Sequence, residues 1–216
     1  MKTFACIAAV VVIWMTWGGN SVSLAGDGNS LRAVNGSVTA RDGQSYTRVS
    51  TVNGDVRIGR GASADEAETV NGSIHVGNDA RLGRVSTVNG SLDVADGVEI
   101  SREASTVNGD IDAERAKVGG DVTTVSGDID LDGTEVTGGL RTVNGDIELA
   151  EGARVHGGIT VKKNKGWSWN HDEPVKVRVC STCVVDGELR FERPVELRVD
   201  SGGRIGQVIG ENVKRL

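Results

Sequence analysis

Aromatic residues make up 3% of this 216-residue chain: four Trp, two Phe and one Tyr. Between Ala33 and Ile159 the only Phe, Trp or Tyr is Tyr46, so no core there can be built on large aromatic payloads. Proline occurs twice, at Pro174 and Pro194, and cysteine three times, at Cys6, Cys180 and Cys183. That is too little cystine to staple a small disulfide scaffold. A sustained helical stripe is also missing. With 31 glycines, no window keeps apolar residues at i, i+3, i+4 and i+7 long enough for a ten-residue helix. Basic residues are in the minority, and the net charge is −6. Residues 33–151 are strongly acidic, whereas residues 152–216 are net basic. An acidic repeat region argues against nucleic acid as a partner, because binding phosphate needs a positive surface.

What the chain has in abundance is one phrase, Thr-Val-Asn-Gly-Asp/Ser-Ile/Val/Leu. It begins at Ala33, Thr51, Thr69, Thr87, Thr106, Thr124 and Thr142, once every eighteen residues with one step of nineteen. A fixed short period means one structural unit stacked on copies of itself. Within a unit, Ile147-Glu148-Leu149 alternates with period two, as a strand with one buried face does. Asn-Gly is turn chemistry, since both residues tolerate positive φ. The reading is all-β: a single-stranded, triangular β-solenoid whose coils of about eighteen residues stack in register at about 4.8 Å. Val52, Val70, Val88, Val107, Val125 and Val143 form one expected inward column. Val56, Ile74, Leu92, Ile111, Ile129 and Ile147 form another. Thr and Asn, flanking an inward Val, are then expected outside. Asn35, Asn53, Asn71, Asn89, Asn108 and Asn144 would make an amide ladder. A flat outward Thr ladder also raises an ice-binding alternative.

Residues 1–25 read as a secretory signal. Lys2 supplies the charge, Ala5 to Trp17 the apolar run, and Ser23-Leu24-Ala25 the small-x-small cleavage site. The run is short for a stable membrane anchor, so the chain is expected to be exported to the periplasm or cell surface. Residues 26–32 form a short linker. Residues 33–216 form one solenoid domain, with regular repeats over 33–160, a Trp/Lys loop over 161–174, and degenerate coils plus a cap over 175–216.

Cys180-Ser-Thr-Cys183, in an exported chain, points to a local disulfide. A redox pair, or half of a metal site completed by His156 or His171, is the alternative. Lys163, Lys165, Trp167, Trp169 and His171 share the loop and make a candidate binding surface for an envelope glycan or protein. Asp55, Asp110, Asp128 and Asp146 recur at one repeat position, with Ser37, Ser73 and Ser91 filling it elsewhere. Stacked acids repel unless solvated or bridged by a cation. Solvated acids capping the Asn-Gly corner are the expectation, with cation binding a distant alternative. Nothing singles out a catalytic pair, so no enzyme, cofactor or metal is expected.

The recurring Val-Asn-Gly-Asp-Ile phrase resembles the adhesin-type β-solenoids of bacterial envelope proteins. Glu151-Gly152-Ala153-Arg154-Val155-His156-Gly157-Gly158-Ile159 is similar to the coils of bactofilins. The resemblance covers about residues 33–160. It implies a β-helix of eighteen-residue coils and, from bactofilins, end-to-end polymerisation. The expected function is a structural or adhesin-like envelope element that self-associates through its solenoid ends, the N-terminal end being the more open.

Overall fold

A computed structural model describes residues 22–23, 29–163, 173–210 and 212–216. Among them there is no helix; every element is a short strand. The strands stack in parallel and in register. One ten-stranded sheet runs from Val38–Ala40 to Val213–Arg215, and a seventeen-stranded sheet wraps the other two sides. The eighteen-residue step is literal: Ile111 pairs with Ile129 and Ile129 with Ile147. This is the expected parallel β-solenoid of eighteen-residue coils.

Each regular coil sends three pairs of side chains inward, for example Val56 with Ile58, Ala62 with Ala64, and Ala67 with Thr69. The Val56-to-Ile147 column is fully buried as expected. Neighbouring columns are small (Ala62, Ala80, Val98, Ala116, Thr134, Ala153, Cys183), which keeps the core too narrow for rings in these coils. Two rings do meet this core: Tyr46 packs against it in the register position of Ala64, and Phe191 is buried in a late coil.

The irregular steps have definite places. The nineteen-residue interval takes its extra residue between Ile100 and Ala104. Ile100 lies opposite Leu82, an offset of eighteen, whereas Ala104 lies opposite Val85, an offset of nineteen. The loop after Val161 is a true insertion. Ile159–Val161 pairs with Leu189–Phe191, and Ile147 with Val177, both thirty residues on. Twelve residues beyond one coil length are thrown out, and the register then resumes. Val175–Val179, Leu189–Phe191 and Val195–Val199 are the degenerate coils foreseen in the sequence.

At the N-terminal end, Ser30–Ala33 already pairs with Arg48–Ser50, so the stack starts within the expected linker. Its other edge is covered, because Val22–Ser23 pairs antiparallel with Arg32 and Ala33. The open N-terminal edge expected from sequence is therefore confined, among the described residues, to Val38–Ala40 of the ten-stranded sheet. At the C-terminal end, Val213–Arg215 adds one more parallel rung on Val195–Leu197. The tail extends the stack where a cap was expected. Apart from Val22–Ser23, the expected signal segment lies outside the described residues.

Candidate functional site

The repeated corner is the most elaborate local structure, and it inverts one expectation. Thr51, Thr69, Thr87, Thr106, Thr124 and Thr142 are buried, while Val52, Val70, Val88, Val107 and Val125 are 38–40% exposed. The valine column is outside and the threonine column inside. The physical reason is hydrogen bonding across coils. Thr51 Oγ1 donates to Gly36 O at 2.9 Å, Thr69 to Gly54 O at 2.9 Å, and Thr87 to Gly72 O at 2.9 Å. A buried hydroxyl with a partner costs little. The period-two pattern carried the signal, since Val49, Val85, Val122 and Leu140 lie two residues before their Thr and are all buried. Because the threonines face inward, they cannot present an ice-ordering ladder.

The asparagine ladder forms from Asn35 to Asn108 and stops short of Asn144. Asn53 Nδ2 donates to Asn35 Oδ1 at 3.1 Å, and Asn71, Asn89 and Asn108 each continue it at 2.9 Å. Ser126 occupies the next rung, and Asn144 follows it. The following glycine lets the coils approach. Gly72 has φ +152°, and a Cβ there would lie 2.1 Å from Gly54 O.

The Asp/Ser position caps that corner. Ser73 N donates to Asp55 Oδ1 at 3.2 Å, Asp128 N to Asp110 Oδ1 at 2.9 Å, and Asp146 N to Asp128 Oδ1 at 2.7 Å. Lys176 N continues the series onto Asp146 Oδ1 at 2.8 Å, across the insertion. The recurring acids thus serve coil stacking.

No known protein family, curated protein or solved structure matches this chain. Any functional surface must therefore be read from its own residues.

One face breaks the charge pattern of the others. The column Arg81, Glu99, Lys117, Glu135, Arg154 alternates in sign from rung to rung. So does Arg48, Glu66, Arg84, with Arg48 paired to Glu66 and Arg84 to Glu103. On the outer face of the ten-stranded sheet, by contrast, Asp93, Asp112, Asp130 and Glu148 stack consecutively. Partial burial between the rungs raises the carboxyl of Asp112. It pushes Asp130 up to about 6, with Asp112, Asp128, Glu148 and Asp110 adding like charge. Basic rungs close the stack at both ends: His75 pairs with Asp93, and Arg178 with Glu148 at 3.0 Å.

Cys180 and Cys183 form a disulfide, with Cα atoms 5.0 Å apart. It clamps a tight turn in which Cys183 N donates to Cys180 O at 3.1 Å. The same turn recurs without sulfur as Ala62 N to Gly59 O and Ala153 N to Ala150 O. Cys183 is the buried member, in the column of Ala62 and Ala153. The pair joins two strands and has no helix N-terminus beside it, the usual means of activating a redox thiol.

His156 sits elsewhere, with Nε2 2.9 Å from Glu135 and Nδ1 3.0 Å from Asp186. The hydrogen bond to Glu135, then that to Asp186, raises its imidazole above the ordinary value, and the same bond lowers Glu135. Among the described residues, no three His, Cys, Asp or Glu side chains gather as metal ligands. Of the loop candidates, Lys163 is described and donates its backbone N–H to Glu192 at 3.3 Å. Lys165, Trp167, Trp169 and His171 lie outside the described residues. Sequence reasoning missed Arg193, which holds the exit of this insertion. Its guanidinium donates to Val143 O at 2.8 Å, Asn144 Oδ1 at 2.6 Å and Glu173 O at 2.9 Å.

Proposed function

We propose that this chain is a non-enzymatic, exported β-solenoid serving as a structural or adhesin-like element of the bacterial cell envelope and self-associating through its ends. The observation that carries the reading is how the repeated polar residues are used. Thr, Asn and Asp/Ser of the regular phrases bind the adjacent coil, so repetition produces stacking in place of a localised reactive centre. A stack of this kind ends in strands with one free edge, and such edges are templates for pairing. Val38–Ala40 and Val213–Arg215 terminate the ten-stranded sheet. Export rests on the signal-like residues 1–25, and the envelope role rests on the resemblance of the phrase to envelope solenoids.

Fractionation of native cells, together with light scattering of the purified chain, tests this reading. Recovery in the envelope with dimers or larger assemblies supports it; a cytoplasmic strict monomer overturns it.

The insertion favours a second reading. Twelve residues bearing Trp167 and Trp169 are accommodated at one corner without loss of register, as a solenoid that displays a binding loop would arrange them. Deleting residues 164–172 would then abolish partner or glycan capture and leave assembly intact.

A further inference from the structure

Six Asn-Gly steps are built into the corner, and Asn-Gly is chemically the most labile peptide step. The glycine amide nitrogen can attack the asparagine carbonyl carbon, because no side chain obstructs it. Along the regular array this attack is blocked. The nitrogen is committed to the coil above: Gly36 N to Asn53 O at 2.7 Å, Gly54 N to Asn71 O at 2.8 Å, Gly72 N to Asn89 O at 2.9 Å, and Gly109 N to Ser126 O at 2.9 Å. The side chain is tied as well, since Asn53, Asn71 and Asn89 each accept from the neutral amide of the next rung, which holds Cγ in the ladder.

Asn144–Gly145 differs on each count. The rung below it is Ser126, so the amide ladder is interrupted there. The position above it is where the insertion leaves the stack, and Lys163 turns its own N–H to Glu192. Among the described residues, no backbone carbonyl accepts the Gly145 N–H. Gly145 also lacks the positive φ of Gly54, Gly72, Gly90, Gly109 and Gly127. Finally, Arg193 places a cationic N–H 2.6 Å from Asn144 Oδ1. Negative charge develops on that oxygen when its carbon is attacked, and a fixed donor there stabilises the transition state.

We propose that Asn144–Gly145 is a self-modifying site. The Gly145 amide gives its proton to solvent, and its nitrogen bonds to Asn144 Cγ. The tetrahedral oxyanion, held by Arg193, collapses and expels Nδ2, which leaves as ammonia after taking a proton from water. One water then opens the succinimide to aspartate or isoaspartate. The balance is asparagine plus water to acid plus ammonia, with no other reactant. The product carries a new carboxylate against Arg193, converting a hydrogen bond from a cation to a neutral amide into an ion pair at the exit of the loop.

The test is incubation of the folded chain at mildly alkaline pH, with peptide mass spectrometry that distinguishes aspartate from isoaspartate. Conversion at Asn144 at least tenfold faster than at Asn53, Asn71 or Asn89 is expected. Arg193→Met should slow it several-fold, and Ser126→Asn, which restores the missing ladder rung, should slow it as well. Unfolding of either variant would accelerate all six sites together, so slowing at Asn144 alone cannot come from loss of fold. Equal rates at the six sites, or an unchanged rate at Asn144 in Arg193→Met, overturns the proposal.

Discussion

The coils before and after Asn144 solve the same corner by different chemistry. In the regular array the inward position is threonine, tied to a glycine carbonyl of the preceding coil, with an asparagine ladder outside. Past Thr142 the same inward position holds Val161 and then Phe191, the ladder is gone, and Arg193 and the Cys180–Cys183 disulfide supply the clamps. Thr142 lies at the border: its hydroxyl is buried and, among the described residues, has no partner. Identical coils thus hold together by repeated hydrogen bonds, and irregular coils by packing and cross-links. A hydrogen-bond ladder needs its partner at the same place in every turn, whereas apolar packing tolerates a change of register.

The largest effect expected is at the shared core. Ile129 is fully buried between Ile111 and Ile147, so Ile129→Asp would strand a carboxylate there at a cost of several kcal/mol. Val107 is 39% exposed, and Val107→Asp should stay within about 0.5 kcal/mol of wild type. Denaturant unfolding reads both; equal losses would dissolve the inside/outside assignment.

Smaller, and specific to the comparison, are two threonine substitutions of opposite sign. Thr87→Val removes a bond to Gly72 O and leaves that carbonyl short of a donor, so it should destabilise by about 1 kcal/mol. Thr142→Val removes an unsatisfied buried hydroxyl and copies the next coil, so it should be neutral or stabilising. If both lose stability alike, the corner chemistry does not differ between the regions.

An effect of similar size, present only above the acid range, concerns the acid stack. The Asp130 carboxyl is raised to about 6 in the folded protein, against about 3.9 when unfolded. The folded state therefore holds the proton more tightly. Stability should rise as pH falls from about 6 toward 4 and reach its lower plateau above about 6. Asp130→Asn should add about 1 kcal/mol at pH 7 once screening at an exposed face is allowed for, with the gain vanishing near pH 4. Reading the difference between variant and wild type across pH cancels the separate titration of His156. A gain independent of pH would show that the stacked acids do not repel.

Much of this fold was legible because its period is in the sequence: the phrase spacing predicts the coil, and Val56 through Ile147 predicts a core column. The asparagine ladder and the Asp/Ser caps followed from the same repetition. The side on which Val52 and its equivalents lie did not follow, because hydropathy ranks valine above threonine and says nothing of a glycine carbonyl waiting fifteen residues earlier. Arg193 was hidden for a different reason: its partners Val143 and Asn144 lie about fifty residues away in sequence, joined by a nineteen-residue register step and then the thirty-residue one. The charge-stacked face is invisible along the chain, since Asp93, Asp112, Asp130 and Glu148 become neighbours only once the coils close.

Cysteine labelling at adjacent positions of one phrase tests the central claim, threonine inside and valine outside, most directly. The described native cysteines are tied in a disulfide, so a new thiol reports alone in the chain lacking residues 1–25. Val107→Cys should react with maleimide in the folded protein at close to the rate of an exposed thiol. Thr106→Cys, 3% exposed as threonine, should react only after denaturation. Fast labelling at position 106 with protection at 107 would contradict the account and return the valine column to the core.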